Sequence, residues 1–382
     1  MRVGIMSMQR IYNYGSFLQA YALKTRIEQL GHSVEFVDYV VEPCLITGTE
    51  GRNKAINTSG KRTCLRLRSL AGRIYRLFDK KRRRIYENGK NYEAWEKRFK
   101  SEFFPLLDLK EEKNYHPEVD VLVIGSDEVF NCLQTNSVVG FSLDLFGKDN
   151  RAGKTITYAA SFGNTTLEGL KKYKVDNTIS SLLKDLSNIS VRDRNSGMIV
   201  EKLTEQKVEY HLDPVFIYDF KKEMNYLIED IPYMVVYAYS GRINEKEKVK
   251  IVKFAKSHNL KLLALGGVHD FCDEYINANP FEMLQYMKNA QYVVTDTFHG
   301  TVFSIKFNKQ FVTISRKGHE GIYGNQEKIE DLLRRFELES RLMEEQADLE
   351  QLLEQEIDFE DINRKIEKEV QSSILYLKNN IN

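Results

Sequence analysis

Cysteine is scarce and unpatterned. Cys44, Cys64, Cys132 and Cys272 are the only four, and no two share CxxC spacing, so neither a zinc site nor a disulfide framework is expected and a reducing cytoplasm fits. Long apolar runs are lacking as well. No stretch reaches membrane-spanning length, and the chain starts on a strand-like RVGIMSM instead of a charged leader with an apolar region behind it, which reads as a soluble, unprocessed protein. Net charge is almost nil. The 56 Lys and Arg are balanced by 55 Asp and Glu, a formal +1, which gives no overall reason to expect nucleic acid. The P-loop, HExxH and the complete dinucleotide glycine fingerprint are missing too, and with them the chemistries those motifs mark; no metal and no cofactor are expected.

What is present is alternation. The 382 residues, 42% of them hydrophobic, suffice for one large core or two medium ones, and two domains are expected. Short apolar runs alternate with amphipathic segments, the pattern of a parallel sheet covered by helices. RVGIMSM predicts the first strand, GSFLQAYALKTRIEQLG a helix closed by Gly31, and HSVEFVDYV the second strand. DVLVIGSDEVF, TITYAASFG, ISVRDRNS and VEYHLDPVF carry the series on, with a helix through Met198 to Leu203. A second series starts at YMVVYAYSG. It runs through a lysine-rich helix from Glu245 to Ser257, LKLLALGG, a helix opened by Asn279 and Pro280, YVVTD, another helix and QFVTIS. The alternation restarts between residues 216 and 232. The expected fold is therefore α/β: two Rossmann-like, doubly wound domains, 1–220 and 221–345, facing a cleft lined by the carboxyl ends of their strands.

Two segments break the pattern. Residues 51–100 hold seventeen Lys or Arg against four acids, including KKRRR at 80–84, and a basic helical insertion over about 48–100 is expected. Leu67, Leu70, Ile74, Leu77 and Phe78 fall at helical spacing between arginines, so residues 52–90 could lie on an anionic membrane surface. A solvated helix docking its stripe on the domain is the plainer account, and RNA binding ranks third. From Glu320 to the end, seventeen acids face eight Lys or Arg. Residues 346–382 are expected to form acidic helices that pack back on the domains, with a homodimer contact as the alternative.

Chemistry gathers at strand ends. In TDTFHGTVFSI, residues 295–305, Asp296, Thr297 and His299 fall in the turn that opens a helix, where unpaired N–H groups and the helix dipole favour an anion and Gly300 permits close backbone approach. The alternative is a cap by Asp296 beside a surface histidine. In SVRDRNS, Arg192 is suited to gripping a carboxylate or phosphate, and Asn195 or Ser196 can cap the next helix; the alternative is a salt bridge from Arg192 to Asp193 or Asp213. After QFVTIS come Arg316, Lys317 and His319, further cations on the C-terminal domain. Asp127 and Glu128 in GSDEVFN could be acid/base groups, although acids in such turns more often cap helices.

Together, NYGSFLQAYAL, DVLVIGSDEVFN, YAASFG, SVRDRNS, YHLDPVF and DTFHGTVFSI, in this order over roughly residues 1–320, resemble the polysaccharide pyruvyl transferase family. The resemblance implies a glycosyltransferase-B-like arrangement and transfer of pyruvate, as a ketal, from the co-substrate phosphoenolpyruvate to a saccharide in bacterial surface polysaccharide synthesis. It makes Arg192 the donor-gripping arginine and His299 the histidine of an Arg-x-His turn, whose arginine is here Thr297. Either Thr297 with the helix N-terminus suffices, or Arg316 and Lys317 supply the charge, which is preferred, or the donor differs. His299 is expected to transfer protons and touch phosphate, and Asp127 to contact or deprotonate an acceptor hydroxyl. Asn13, Tyr14, Gly15 and Ser126 complete the acceptor side. The acceptor is expected to be a saccharide, lipid-linked or free, met in the cytoplasm or at the inner face of the membrane. A nucleotide-sugar glycosyltransferase and a non-catalytic saccharide-binding protein are the rival readings.

Overall fold

The computed structural model describes residues 1–46, 80–228, 231–316, 324 and 326–382. The Leu67 to Phe78 stripe, Lys317 and His319 lie outside the described residues.

Two six-stranded parallel sheets form two lobes. The first contains β1 Arg2–Met6, β2 Ser33–Phe36, β3 Val121–Asp127, β4 Lys154–Ala160, β5 Ser190–Val191 and β6 Glu209–Tyr210, in the order β2-β1-β3-β4-β5-β6. The second contains β7 Tyr233–Tyr237, β8 Lys261–Leu265, β9 Glu274–Tyr275, β10 Tyr292–Thr295, β11 Gln310–Ile314 and β12 Leu342–Met343, in the order β12-β11-β10-β7-β8-β9. The chain reverses direction across the sheet between β1 and β3 in one lobe and between β7 and β10 in the other. Both lobes are thus Rossmann-like and doubly wound, and ligands of such sheets bind beyond the strand ends at these reversals. Every residue of β3 and β7 is buried, which is why residues 121–124 and 233–237 read as apolar runs rather than alternating ones.

The helices that matter here are α1 Tyr14–Gln29, α2 Lys80–Arg98, α3 Arg194–Thr204, α4 Pro214–Ile217, α5 Glu245–Ser257, α6 Pro280–Asn289, α7 Phe298–Lys306, α8 Gln326–Arg335 and α9 Phe359–Ile381. α5 and α6 each start with a capping box, Asn244 with Glu247 and Asn279 with Glu282, so two orphan N–H groups are satisfied reciprocally at each start. α1 ends at Gln29, with Gly31 just beyond it in left-handed backbone at φ 92°. Two expected caps are corrected. Asp193, not Asn195 or Ser196, caps α3 by accepting from the Ser196 N–H, and Thr297, not Asp296, caps α7 by accepting from the Gly300 N–H.

Each lobe borrows a helix that the chain order assigns to the other. α2 docks on the second lobe, where Asn88 accepts from the Tyr275 N–H at 3.0 Å and Arg98 donates to the Asn277 carbonyl at 2.9 Å. Its Trp95 is buried edge-on against Tyr14 of α1, centroids 5.1 Å apart. In return α9 packs on the first lobe: Tyr376 donates to the Thr157 carbonyl at 2.9 Å and Lys154 to the Asn380 carbonyl at 2.7 Å. Among the described residues no helix is long and apolar enough to cross a membrane.

Candidate active site between the lobes

A cavity of about 470 Å³ opens between the lobes at both reversals. Met8, Tyr12, Asn13 and Ser16 reach it from beyond β1, and Asp127 and Glu128 from the end of β3. Tyr239 and Arg242 come from the turn after β7, Thr297, Phe298 and His299 from the turn after β10, and Lys328 from α8. The volume lies within the range of about 300–1,000 Å³ common for small-molecule sites.

A chain of ionisable side chains runs from the cavity wall into the layer beneath it and links the two lobes. Ser16 donates to Asp127 Oδ2 at 2.8 Å, and Asp127 Oδ1 stands 3.8 Å from Arg192 Nη2. Arg192 Nη1 donates to Asp213 Oδ2 at 2.8 Å, and that oxygen is 3.4 Å from His299 Nε2. Asp127 takes left-handed backbone, φ 73°, a conformation uncommon outside glycine that tends to persist where surrounding structure requires it. Asp213 is fixed by its own cap, accepting from the Val215 N–H at the start of α4. Burial pushes the Asp213 carboxyl up, but His299 and then Arg192 outweigh it and bring its pKa down to about 2. For Arg192, burial opposes the charge while Asp213, Asp127 and further carboxylates more than offset it, so the guanidinium is held protonated more firmly than usual.

Arg192 itself does not line the cavity. It is buried one layer below, its guanidinium 4.1 Å from the Phe298 ring centroid, and its Nε and Nη2 have no hydrogen-bond partner among the described residues. The salt-bridge alternative of the sequence is therefore present, with Asp213 as partner, while Asp193 is occupied in capping α3. Gly15 brings α1 against the histidine: a Cβ there would lie 2.2 Å from His299 Cγ and Nδ1. Asn13 accepts from the Gly15 N–H at 2.7 Å and donates to the Tyr239 hydroxyl across the cleft.

The other sequence-singled residues sit elsewhere. Tyr14 is buried and donates to the Ala278 carbonyl at 2.7 Å; Ser126 is buried and donates to the Ala159 carbonyl at 2.8 Å. Gly300 is packed so that a Cβ would meet Thr295 Oγ1 at 2.0 Å, so the close approach it permits is to the protein's own strand. Arg316 forks onto Glu247 at 2.7 and 2.9 Å and is not in the cavity wall. The cations that do line the wall with His299, namely Arg242 and Lys328, were not singled out by the sequence. The available signal was position: Arg242 closes the SGR turn just past β7.

No group of three or more His, Cys, Asp and Glu among the described residues could hold a metal. Hydroxyl, carboxylate, imidazole and guanidinium groups around one cavity suit proton transfer next to a bound anion.

The family model described as polysaccharide pyruvyl transferase matches residues 13–318. No curated protein matches. Among solved structures the chain is similar to a mutant O-GlcNAc transferase of Thermobaculum terrenum, at 10% identity and TM-score 0.41, covering 100% of this chain and 66% of that one. It is also similar to the UDP-GlcNAc 2-epimerase of Neisseria meningitidis bound to UDP-GlcNAc, at 11% identity and TM-score 0.43, covering 98% and 100%. A third is the E. coli heptosyltransferase WaaC with ADP, at 12% identity and TM-score 0.37, covering 97% and 100%. The strand order of each lobe, rather than these likenesses, identifies the fold.

Proposed function

The chain belongs to the polysaccharide pyruvyl transferase family, and from that premise we propose that it moves pyruvate from phosphoenolpyruvate onto two hydroxyls of a saccharide, forming a ketal and releasing phosphate. The observation that carries this reading is the Asp127, Arg192, Asp213, His299 chain beneath a cavity whose wall also holds Arg242 and Lys328. Phosphoenolpyruvate carries a carboxylate and a phosphate on neighbouring atoms, and only a site rich in cations and N–H donors can replace their hydration.

The chemistry needs a proton delivered to the methylene carbon of the donor, which leaves C2 electron-poor. One saccharide hydroxyl adds to C2 and loses its proton. A second hydroxyl then adds as the bond from C2 to the phosphate oxygen breaks, and its proton leaves with phosphate. One hydroxyl proton is thus balanced by the new methyl hydrogen and the other by the phosphate. His299, reached from the cavity and fixed by Asp213, is the proton carrier next to the donor; Asp127 accepts from the acceptor hydroxyl. Arg192, behind Phe298, holds Asp127 and Asp213 in register and adds positive potential under the donor. The acceptor lies on the first-lobe side and meets the enzyme in the cytoplasm, on a lipid carrier at the inner face of the membrane or free.

The test is incubation with phosphoenolpyruvate and a panel of galactosides and mannosides, following phosphate and pyruvylated product. Phosphate release that depends on acceptor, with loss on the order of 10² to 10³ in rate for Arg192→Ala and His299→Ala, supports the reading. Consumption of a labelled nucleotide sugar with no use of phosphoenolpyruvate overturns it.

A further inference from the structure

We propose that the acceptor is a saccharide of at least two sugar units, and that a second cavity beyond Tyr12 holds the unit next to the one that takes the pyruvate. This rests on the ketal-forming reading and adds the acceptor's length and the side chain over which it extends.

A cavity of about 330 Å³ adjoins the one between the lobes, and the two share Met8, Ile11 and Tyr12. Every residue that lines it comes from the first 138 of the chain, the side assigned to the acceptor, so what extends into it is the acceptor and not the donor. Tyr12 also borders a small hollow of about 40 Å³ beside Asn13 and Trp95, which makes it the side chain at which the cavities meet. Its ring is held from behind by the residues that follow α2, with centroids 5.6 Å from Phe99 at an interplanar angle of 23° and 5.5 Å from Phe104. The turn that carries it is closed by main-chain bonds, from the Ile11 N–H to the Met8 carbonyl at 3.2 Å and from the Asn13 N–H to the Ile11 carbonyl at 2.8 Å. Tyr12 nevertheless remains 49% exposed. A ring fixed in this way presents an ordered apolar surface to a ligand that spans both cavities.

The chemistry of the second cavity selects a sugar over other extensions. A pyranose has C–H groups on its faces, which suit the electron-rich face of an aromatic ring, and hydroxyls around its edge, which need donors and acceptors. Beyond Tyr12 the walls supply apolar surface from Phe104 and Leu109 and, at the exposed rim, from Val41 and Val138. The charged groups stand on one another: Arg10 forks onto Asp38 at 2.5 and 2.9 Å, Lys113 lies 3.5 Å from the same carboxylate, and Lys100 lies 3.0 Å from Glu111. Three of the four cations lining the cavity are thus paired with its two acids, while the fourth, Lys110, is exposed. A diphosphate entering here meets both carboxylates, and an alkyl chain strips water from charged side chains. A neutral polyol incurs neither cost.

Calorimetric titration of the full-length protein with methyl galactosides and mannosides of one and of two sugar units tests this, alongside phosphate release from phosphoenolpyruvate with the same compounds. The wild type is expected to bind the two-unit saccharide about 10-fold more tightly than the one-unit saccharide and to show the same preference in kcat/KM. Tyr12→Ala is expected to bring that ratio close to one, while Tyr12→Phe keeps it, because the ring and not the hydroxyl makes the contact; thermal melts and phosphoenolpyruvate affinity verify that the variants fold. Val138→Asp, at the rim of the second cavity alone, is expected to lower the ratio as well. Equal affinity for one and two units in the wild type, or a ratio unchanged in Tyr12→Ala, overturns this inference and leaves the proposed function standing. Saccharide binding without phosphate release overturns the proposed function, and the binding ratio then decides for the second cavity. Binding of no saccharide overturns both.

Discussion

The two walls of the cavity differ in chemical kind. From the first lobe, beside the apolar Met8, Ile11 and Val139, come Asn13, Ser16, Asp127, Glu128, Gln134, Thr135 and Asn136, polar groups that are amides, hydroxyls and carboxylates. From the second half of the chain come Tyr239, Arg242, Thr297, His299 and Lys328, a surface of cations and donors. A polyol is matched by the first, since each of its hydroxyls both gives and accepts hydrogen bonds. A compact dianion is matched by the second. On the proposed function, the difference puts the saccharide against the first wall and the donor against the second, with His299 and Asp127, one on each wall and joined below through Asp213 and Arg192, as the proton-transfer pair.

Breaking the join should have the largest effect. Asp213→Ala leaves Arg192 buried without its closest partner and is expected to destabilise the fold by about 3–5 kcal/mol in urea denaturation while abolishing turnover. The same residue sets an acid limit. Its pKa is depressed in the folded state to about 2 from an ordinary 3.8, so the stability it contributes is present above the ordinary value and is lost as pH falls from about 4 towards 2. Asp213→Asn should therefore lose less stability than the wild type over that window, read from denaturation curves at several pH values.

Single-wall changes come next and should separate the two faces. His299→Ala is expected to cut kcat by about 10² to 10³ with a small change in donor affinity. Asp127→Asn should lower kcat by roughly 10² or more and shift the acceptor KM, leaving phosphoenolpyruvate binding equal or tighter because a negative charge has gone. Equal effects of both variants on both substrates would erase the distinction between the walls. Smaller still, Gly15→Ala inserts a methyl against the His299 ring and is expected to cost about 1–3 kcal/mol and reduce kcat, measured by melts and steady-state rates. Smallest is Asn13→Ala, which removes one bond across the cleft and should cost about 0.5–1.5 kcal/mol.

Much of the frame was legible from the sequence because it is local. The apolar runs that became β1, β3, β7 and β10, the helix Glu245–Ser257 and the Asn279-Pro280 start all follow from periodicity and capping. Apolar strands ending in polar turns mark the neighbourhoods of Asn13, Asp127 and His299, all of which line one cavity. What was not legible depends on registration between distant segments. Arg316 follows β11, one strand away from the reversal between β7 and β10, so it lands behind the wall, and Arg242 stands where added charge was sought. Lys328 arrives on α8. Asp213, in YHLDPVF, was legible as a salt-bridge partner for Arg192; that it also faces His299 is a fact of folding and not of spacing. Chain order likewise gave no sign that α2 would dock on the second lobe, since that contact rests on Asn88, Tyr92 and Arg98 meeting residues far along the chain.

That exchange of helices governs how the molecule can breathe. With α2 lashed to the second lobe and α9 to the first, a wide swing of the halves would tear two docked surfaces at once, so ligands of the cleft are expected to pass through modest shifts of the turns at the rim. Neither half is a portable part, either: cut at the waist, each would be left with a bare apolar scar where its loaned helix had lain.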